Sequence, residues 1–148
     1  TDTTSLAIDT TGQAWSWGEG GQGRIGNSTE FVDYSSPVSV VGGHTFTAIA
    51  LGNDHTLALD NAGQVWGWGT NSFGEIGISG LNQSSPVLVG AGPFIAIAAG
   101  RNNSFGLDAA GVIWSWGYNG YSGGRGLGSL GDNSTTSHSP APIATIWV

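Results

Sequence analysis

Short apolar runs alternate with small or polar residues along the chain, and turn residues interrupt each run after a few positions. "SLAIDTTGQAWSWG" (5–18), "TLALDNAGQVWGWG" (56–69) and "SFGLDAAGVIWSWG" (104–117) each read as two alternating segments around a turn that ends in glycine. That is the pattern of a β-hairpin. Upstream, "FTAIALG" (46–52) and "FIAIAAG" (94–100) supply one more strand; downstream, "SSPVSV" (35–40), "SSPVLV" (84–89) and "HSPAPI" (138–143) supply another. Gly or Pro breaks every stretch before a helical period is established. The pattern predicts an all-β chain.

Aligned on Gly12, Gly63 and Gly111, the copies are spaced by 51 and 48 residues. Between hairpin and last strand stand "GQGRIG" (21–26), "FGEIGI" (73–78) and, in the third copy, an expanded loop "GYNGYSGGRGLGSLG" (117–131). The reading is a single repeat domain over 1–148, with repeats at approximately 1–45, 46–93 and 94–148. Four short strands per repeat, punctuated by Trp and Gly, describe a β-propeller blade. The expected fold is therefore about three four-stranded blades.

Six of the seven tryptophans fall in three Trp-x-Trp-Gly units, at Trp15 and Trp17, Trp66 and Trp68, Trp114 and Trp116. Residues i and i+2 of a strand project from one face, and each Trp buries roughly 150–250 Å². The pairs are read as packing between adjacent blades, with exposure of one of them for binding as the other reading.

With these motifs on the page, the chain resembles the regulator of chromosome condensation repeat family. The second repeat carries the match through Ile49, Gly52, His55, Leu57, Gly63, Val65, Trp66, Trp68, Gly69, Asn71, Gly74, Ile76, Gly77 and Pro86, and the other two repeats match at Gly, Trp and Pro positions. The resemblance implies a seven-bladed propeller without an active site of its own, binding other proteins through loops on its faces. Three repeats fall short of that ring. Thr1 aligns with Gly52, so the first strand of repeat 1 is absent, and Trp147 aligns with Phe46 and Phe94. The expectation is an incomplete propeller that closes or extends through other copies, or through the remainder of a larger propeller, with Trp147 and Val148 at the assembly end.

Composition narrows the partners. Ten acidic residues against three Arg give a net charge of −7, which argues against nucleic acid, since phosphates need a basic face. No apolar run is long enough to insert in a membrane as a helix. The chain has no Cys and no Met; the first removes disulfides and thiolate chemistry, and the second marks the sequence as processed or excerpted. Absence of Lys and Cys with abundant Ser, Thr, Asn and Gly points to an extracellular or cell-surface protein.

Catalytic chemistry finds no purchase. His55 occupies a repeat position whose equivalents are Thr4 and Asn103, which reads as a polar group satisfying a strand end. His44 and His138 lie in predicted loops without an acidic or Ser partner, and no His pair has metal-ligand spacing. "GEGGQG" (18–23) and "GLGSLG" (126–131) match G-x-G-x-x-G only formally, because no helix follows either to face a pyrophosphate. No enzyme, cofactor or metal is expected. Asn27, Asn82 and Asn133 open Asn-x-Ser/Thr sites in the same loop of each repeat, with a fourth at Asn102. Turn chemistry accounts for them, and glycosylation is the sharper reading.

Residues that break the repeat symmetry are the candidates for a partner-facing patch: Glu19, Phe73, Tyr118, Tyr121 and Arg125, the last three in or beside the expanded third loop. Tyr and Arg are enriched at binding hot spots. The function read from the sequence is a non-enzymatic protein-interaction and self-assembly module. Two alternatives stand beside it: a structural subunit of an extracellular filament or virion, and a soluble inhibitor or regulator of a specific protein.

Overall fold

The computed structural model describes residues 3–120, 128–134 and 136–145. Eleven strands form three antiparallel sheets. The first sheet holds β1 (Thr4–Ile8), β2 (Ala14–Gly18) and β3 (Tyr34–Ser39). The second holds β4 (Phe46–Leu51), β5 (His55–Asp60), β6 (Val65–Gly69) and β7 (Gln83–Leu88), and the third β8 (Phe94–Ala99), β9 (Asn103–Asp108), β10 (Ile113–Tyr118) and β11 (His138–Ala144). Each sheet is a meander in chain order, which is a propeller blade. The first has three strands among the described residues, the others four.

Each hairpin is made the same way. Asp9 follows, and Asp60 and Asp108 end, the strand before the turn, and Gly12, Gly63 and Gly111 close it at φ +85°, +77° and +83°. A type I turn followed by a left-handed residue is a favoured three-residue hairpin loop, and glycine meets that conformation without strain. The aspartate does more than turn. Oδ1 of Asp60 accepts from the backbone N–H of Ala62 and Gln64, and Oδ2 accepts from Trp66 Nε1 at 3.0 Å. Asp9 binds Trp15 Nε1 at 2.9 Å and Asp108 binds Trp114 Nε1 at 2.9 Å in the same arrangement. The first Trp of each pair is thus fastened to its own hairpin.

The second Trp serves the neighbouring blade. Trp68 is 0% exposed and lies in a cluster with Ala14 and Val40 of the first blade and Phe46 and Ala58 of its own. Its Nε1 donates to the Arg24 carbonyl at 3.1 Å. Trp116, also 0% exposed, packs with Leu57, Leu59, Val65 and Val89 of the second blade and with Phe94, whose ring centre is 6.3 Å away. The pairing with the last strand shifts register at each second Trp, opposite the Ser-Pro step. Proline is tolerated there because the last strand is an edge and a missing N–H breaks no ladder bond.

Among the described residues the middle blade alone is covered on both sides. Residues 55–59 of β5 are all buried, whereas β9 alternates, with Ser104 and Gly106 buried towards the second blade and Phe105 and Leu107 only partly covered on the other face. At the first blade, Trp15 and Trp17 are partly buried.

Candidate interaction face

In a meander, the first-to-second turn and the third-to-fourth loop emerge at the same end of the sheet. Hydrogen bonds tie them together, from the Thr70 N–H to the Asp54 carbonyl and from the Tyr118 N–H to the Asn102 carbonyl. One rim of the stack therefore carries the turns 52–54 and 100–102, the long loops 19–33 and 70–82, and the described parts of 119–137. The hairpin aspartates occupy the opposite rim.

Buried asparagines brace the loops. Asn71 donates to the carbonyls of Ile78 and Gly80 and accepts from the Ile76 N–H, and Asn119 donates to the Thr136 carbonyl and accepts from the Leu130 N–H. The first two loops then reach across to the next blade with one side chain each. Arg24 Nη2 pairs with Asp54 Oδ1 at 2.8 Å, while its Nε donates to the Gly21 carbonyl and Glu19 Oε2 stands 3.8 Å from Nη1. At the following seam Glu75 takes the place of Arg24: its Oε2 accepts from the Phe73 N–H at 2.8 Å and its Oε1 from Asn102 Nδ2 at 3.3 Å. Arg24 is 6% exposed and Glu75 0%. Buried charges held this way are costly to orphan, so these latches define which loop meets which turn.

Next to Arg24 lies a cleft of about 200 Å³ bordered by Thr3, Thr4, Asp54, His55 and Thr56. His55 Nε2 lies 2.9 Å from Ser104 Oγ, and that hydroxyl donates to the Glu75 carbonyl at 2.7 Å. The hydroxyl proton being used, His55 must donate from Nε2. Burial drives its pKa down to about 4, with Asp54 opposing weakly. The histidine is a strut between blades. Among the described residues no three His, Asp or Glu side chains converge on a metal-sized site.

The sequence-nominated patch residues fall on this rim where they are described. Phe73 is 37% exposed, and its ring centre lies 4.7 Å from Tyr118 and 6.4 Å from His138. His138 opens β11 instead of lying in a loop, and joins an aromatic cluster that sequence reasoning did not assemble. Glu19 sits at the other seam beside Arg24. Phe31, 72% exposed, and Leu81, 84% exposed, project from the same set of loops and went unremarked in the sequence. Tyr121, Arg125, Trp147 and Val148 lie outside the described residues. Asn27 and Asn82 use their side-chain oxygens on the N–H groups of Thr29 and Asn71, and Asn133 takes φ +57° in its turn. His44 stacks on Trp66 with ring centres 3.8 Å apart.

The carboxylates and the histidine predict a two-stage acid response. Asp9 is held down to about 2, first by the Thr11 hydroxyl and then by the Trp15 indole. For Asp60, burial pushes upward but is outweighed by Trp66, Gln64, Ala62 and His44; for Asp108 the Trp114 indole leads the lowering. A histidine depressed in the folded state makes stability fall as pH drops from about 6.5 towards 4. Depressed carboxylates add stability above about 3.9 that is lost as pH falls through their folded values. Urea midpoints measured from pH 7 to 2 should therefore decline in two limbs. His55→Asn should flatten the upper limb and Asp→Asn at the three hairpins the lower one. A wild-type midpoint constant from pH 7 to 3 would contradict this.

Three stacked meanders with an indole and a glycine at every internal seam define a repeat-built β-propeller scaffold. The regulator of chromosome condensation (RCC1) repeat matches residues 11–59 and 62–107, and a second description of that repeat matches 46–75 and 94–122. The chain belongs to the RCC1 repeat family. Among curated relatives, it is 38% identical over 80 residues to the probable E3 ubiquitin-protein ligase HERC6 of Homo sapiens, covering 53% of this chain and 8% of that protein. It is 32% identical over 83 residues to the protein RCC2 homolog of Xenopus laevis, covering 55% and 16%. Human WBSCR16 superposes with a TM-score of 0.82 at 24% identity, over 97% of this chain and 35% of that one. Prp20p from Saccharomyces cerevisiae, a protein with binding properties towards Gsp1p and histones, gives 0.84 at 19% identity, over 97% and 36%. The chain thus spans a small part of the curated relatives and about a third of the solved neighbours.

These relatives overturn the expectation of an extracellular or cell-surface location. Chromosomes, histones and ubiquitin ligation belong to the cell interior. The Ser-, Asn- and Gly-rich, Lys-free composition that suggested otherwise reflects the demands of short turns and carries no address.

Proposed function

We propose that this chain is a non-enzymatic protein-interaction module that binds a regulatory partner protein through its loop rim, with the Phe73, Tyr118 and His138 cluster as the anchor. The observation that carries this is the convergence of the exposed Phe73 and His138 rings and the partly buried Tyr118 ring, from two blades, on the rim that also presents Phe31 and Leu81. Packing between blades gives no reason for Phe73 to be exposed, while amphipathic aromatic clusters are what hot spots are made of. Glu19 extends the patch along the same rim. Binding of Gsp1p and histones by Prp20p is activity of the same general kind. The regulator reading is favoured over a filament or virion subunit, which loses its extracellular premise. The reading also includes self-association through the end faces of the stack.

The test is capture of a cellular partner by the wild-type chain and by Phe73→Ala and Tyr118→Ala variants. Each substitution should weaken binding by about 2 kcal/mol, roughly thirty-fold in Kd, with near-ultraviolet circular dichroism unchanged. A captured partner held equally well by the doubly substituted chain would refute the assignment.

A further inference from the structure

The linkers that lead into the second and third blades are anchored alike and differ in one side chain. Thr45 and Pro93 hold the same place, each against the hairpin glycine of the preceding blade. A methyl group added at Gly12 would stand 2.5 Å from Thr45 Cγ2, and one at Gly63 would stand 2.9 Å from Pro93 Cβ. Phe46 and Phe94 then donate their N–H groups to the Gly12 and Gly63 carbonyls, both at 2.8 Å. Immediately before this anchor stands His44 in the first linker and Gly92 in the second.

The His44 ring covers an indole. It lies over Trp66 with ring centres 3.8 Å apart and planes inclined by 34°. A methyl group at Gly42 would stand 2.5 Å from His44 Nε2, so glycine there leaves room for the ring. The covered indole is the one fastened to Asp60, and His44 is near enough to help keep that carboxylate charged. Imidazole, indole and carboxylate form one layered group on the hairpin rim.

The third blade repeats the indole and the carboxylate without the imidazole. Trp114 Nε1 donates to Asp108 Oδ2 at 2.9 Å, and Asp108 Oδ1 accepts from the Ala110 and Val112 N–H groups. Those bonds favour the charged carboxylate, and among the described residues no Arg or His makes an ion pair with it. Beside the indole, where the linker carries Gly92, lies a cleft of about 340 Å³ bordered by Gly90, Ala91, Gly92, Asp108, Trp114 and Pro142. Phe94 meets Trp114 edge-on, at 72° with ring centres 6.5 Å apart. An indole face beside an ionised carboxylate attracts cations, and a flat cation can stack on the one while facing the other.

We propose that this cleft binds the guanidinium of an arginine side chain presented by a partner protein, stacked on Trp114 with its charge towards Asp108. The His44 ring on Trp66 beside Asp60 is the same arrangement made within the chain. Guanidinium suits the cleft better than the ammonium of lysine because it is planar, and better than imidazole because it stays charged at neutral pH. The cleft lies on the rim opposite the long loops, so this assignment stands or falls apart from the loop-rim reading.

Titration of the full-length chain with blocked arginine, N-acetyl-arginine-N′-methylamide, followed through the indole N–H signals of the tryptophans by nuclear magnetic resonance, tests this. The equally shaped but neutral citrulline derivative is the comparison. Blocked arginine should shift the Trp114 signal and leave Trp66, already covered, in place. Citrulline should bind roughly three- to five-fold more weakly, and Asp108→Asn should erase that difference. Because Asp108→Asn also touches the hairpin, His44→Gly supplies a second variant: it uncovers Trp66, whose signal should then begin to respond to arginine. A Trp114 signal that ignores arginine at tens of millimolar, or that responds equally to citrulline, overturns the assignment. A Trp66 signal that responds in the wild type, or stays silent in His44→Gly, overturns the equivalence of the two positions on which it rests.

Discussion

Trp68→Ala should destabilise the chain by about 3–5 kcal/mol, whereas Trp17→Ala should leave the stability of the monomer almost unchanged. The two residues stand at equivalent repeat positions in the same Trp-x-Trp-Gly context, so local sequence and propensity predict equal effects. Their surroundings differ. Trp68 fills the space between two blades, against Ala14 and Val40 on one side and Phe46 and Ala58 on the other, with its indole N–H on the Arg24 carbonyl. Alanine there leaves a cavity that neither sheet can close, because both are held by their own ladders, and it leaves the Arg24 carbonyl without this donor. Trp17 faces outward and is already partly hydrated. Since stability in stacked repeats is roughly the sum of unit and neighbour terms, losing the first seam should also uncouple the first blade. Urea titrations followed by circular dichroism should show a lower midpoint and a broader transition for Trp68→Ala alone. Equal midpoints for both variants would mean that the indole seams do not hold the stack.

Much of this was legible in the sequence for a physical reason. A strand alternates its faces, so a repeated Trp-x-Trp shows that one face of each blade is heavily apolar. Repeated glycines show where chain elements turn or approach closely. Alternation does not say what each indole meets. The first of each pair is drawn to its own hairpin by Asp9, Asp60 or Asp108; at the two internal seams it packs at the margin while the second fills the centre. The aspartates could have been read as a motif, for they recur at one position in all three copies. The latches could not. They join residues of different repeats and change identity from Arg24 to Glu75, so no periodic signal marks them. The aromatic cluster escaped for a similar reason. Phe73, Tyr118 and His138 come from two blades, and their meeting depends on how one blade is seated on the next. Location was misread because turn-rich composition imitates that of secreted proteins.

The seating of one blade on the next predicts a second large effect. Gly74→Ala should cost roughly 3 kcal/mol, and Gly23→Ala a similar amount, from a left-handed backbone of about 1–2 kcal/mol and from overpacking. Gly74 has φ +81°, and its added methyl would stand 2.3 Å from the Pro140 Cα. That neighbour is backbone in the edge strand of the next blade and cannot rotate aside, so relief requires the loop and β11 to separate. Separation would draw Glu75 away from Asn102 and loosen the cover over Trp116. Gly128→Ala supplies the internal comparison. It has φ +101° but nothing among the described residues within 4 Å, so in dilute monomer it should show only the conformational cost. The difference between Gly74→Ala and Gly128→Ala in urea midpoint then measures the steric cost of the seam, apart from that of the turn. Equal losses for the two would place the whole effect in backbone conformation and remove close approach as the reason for glycine at this loop position.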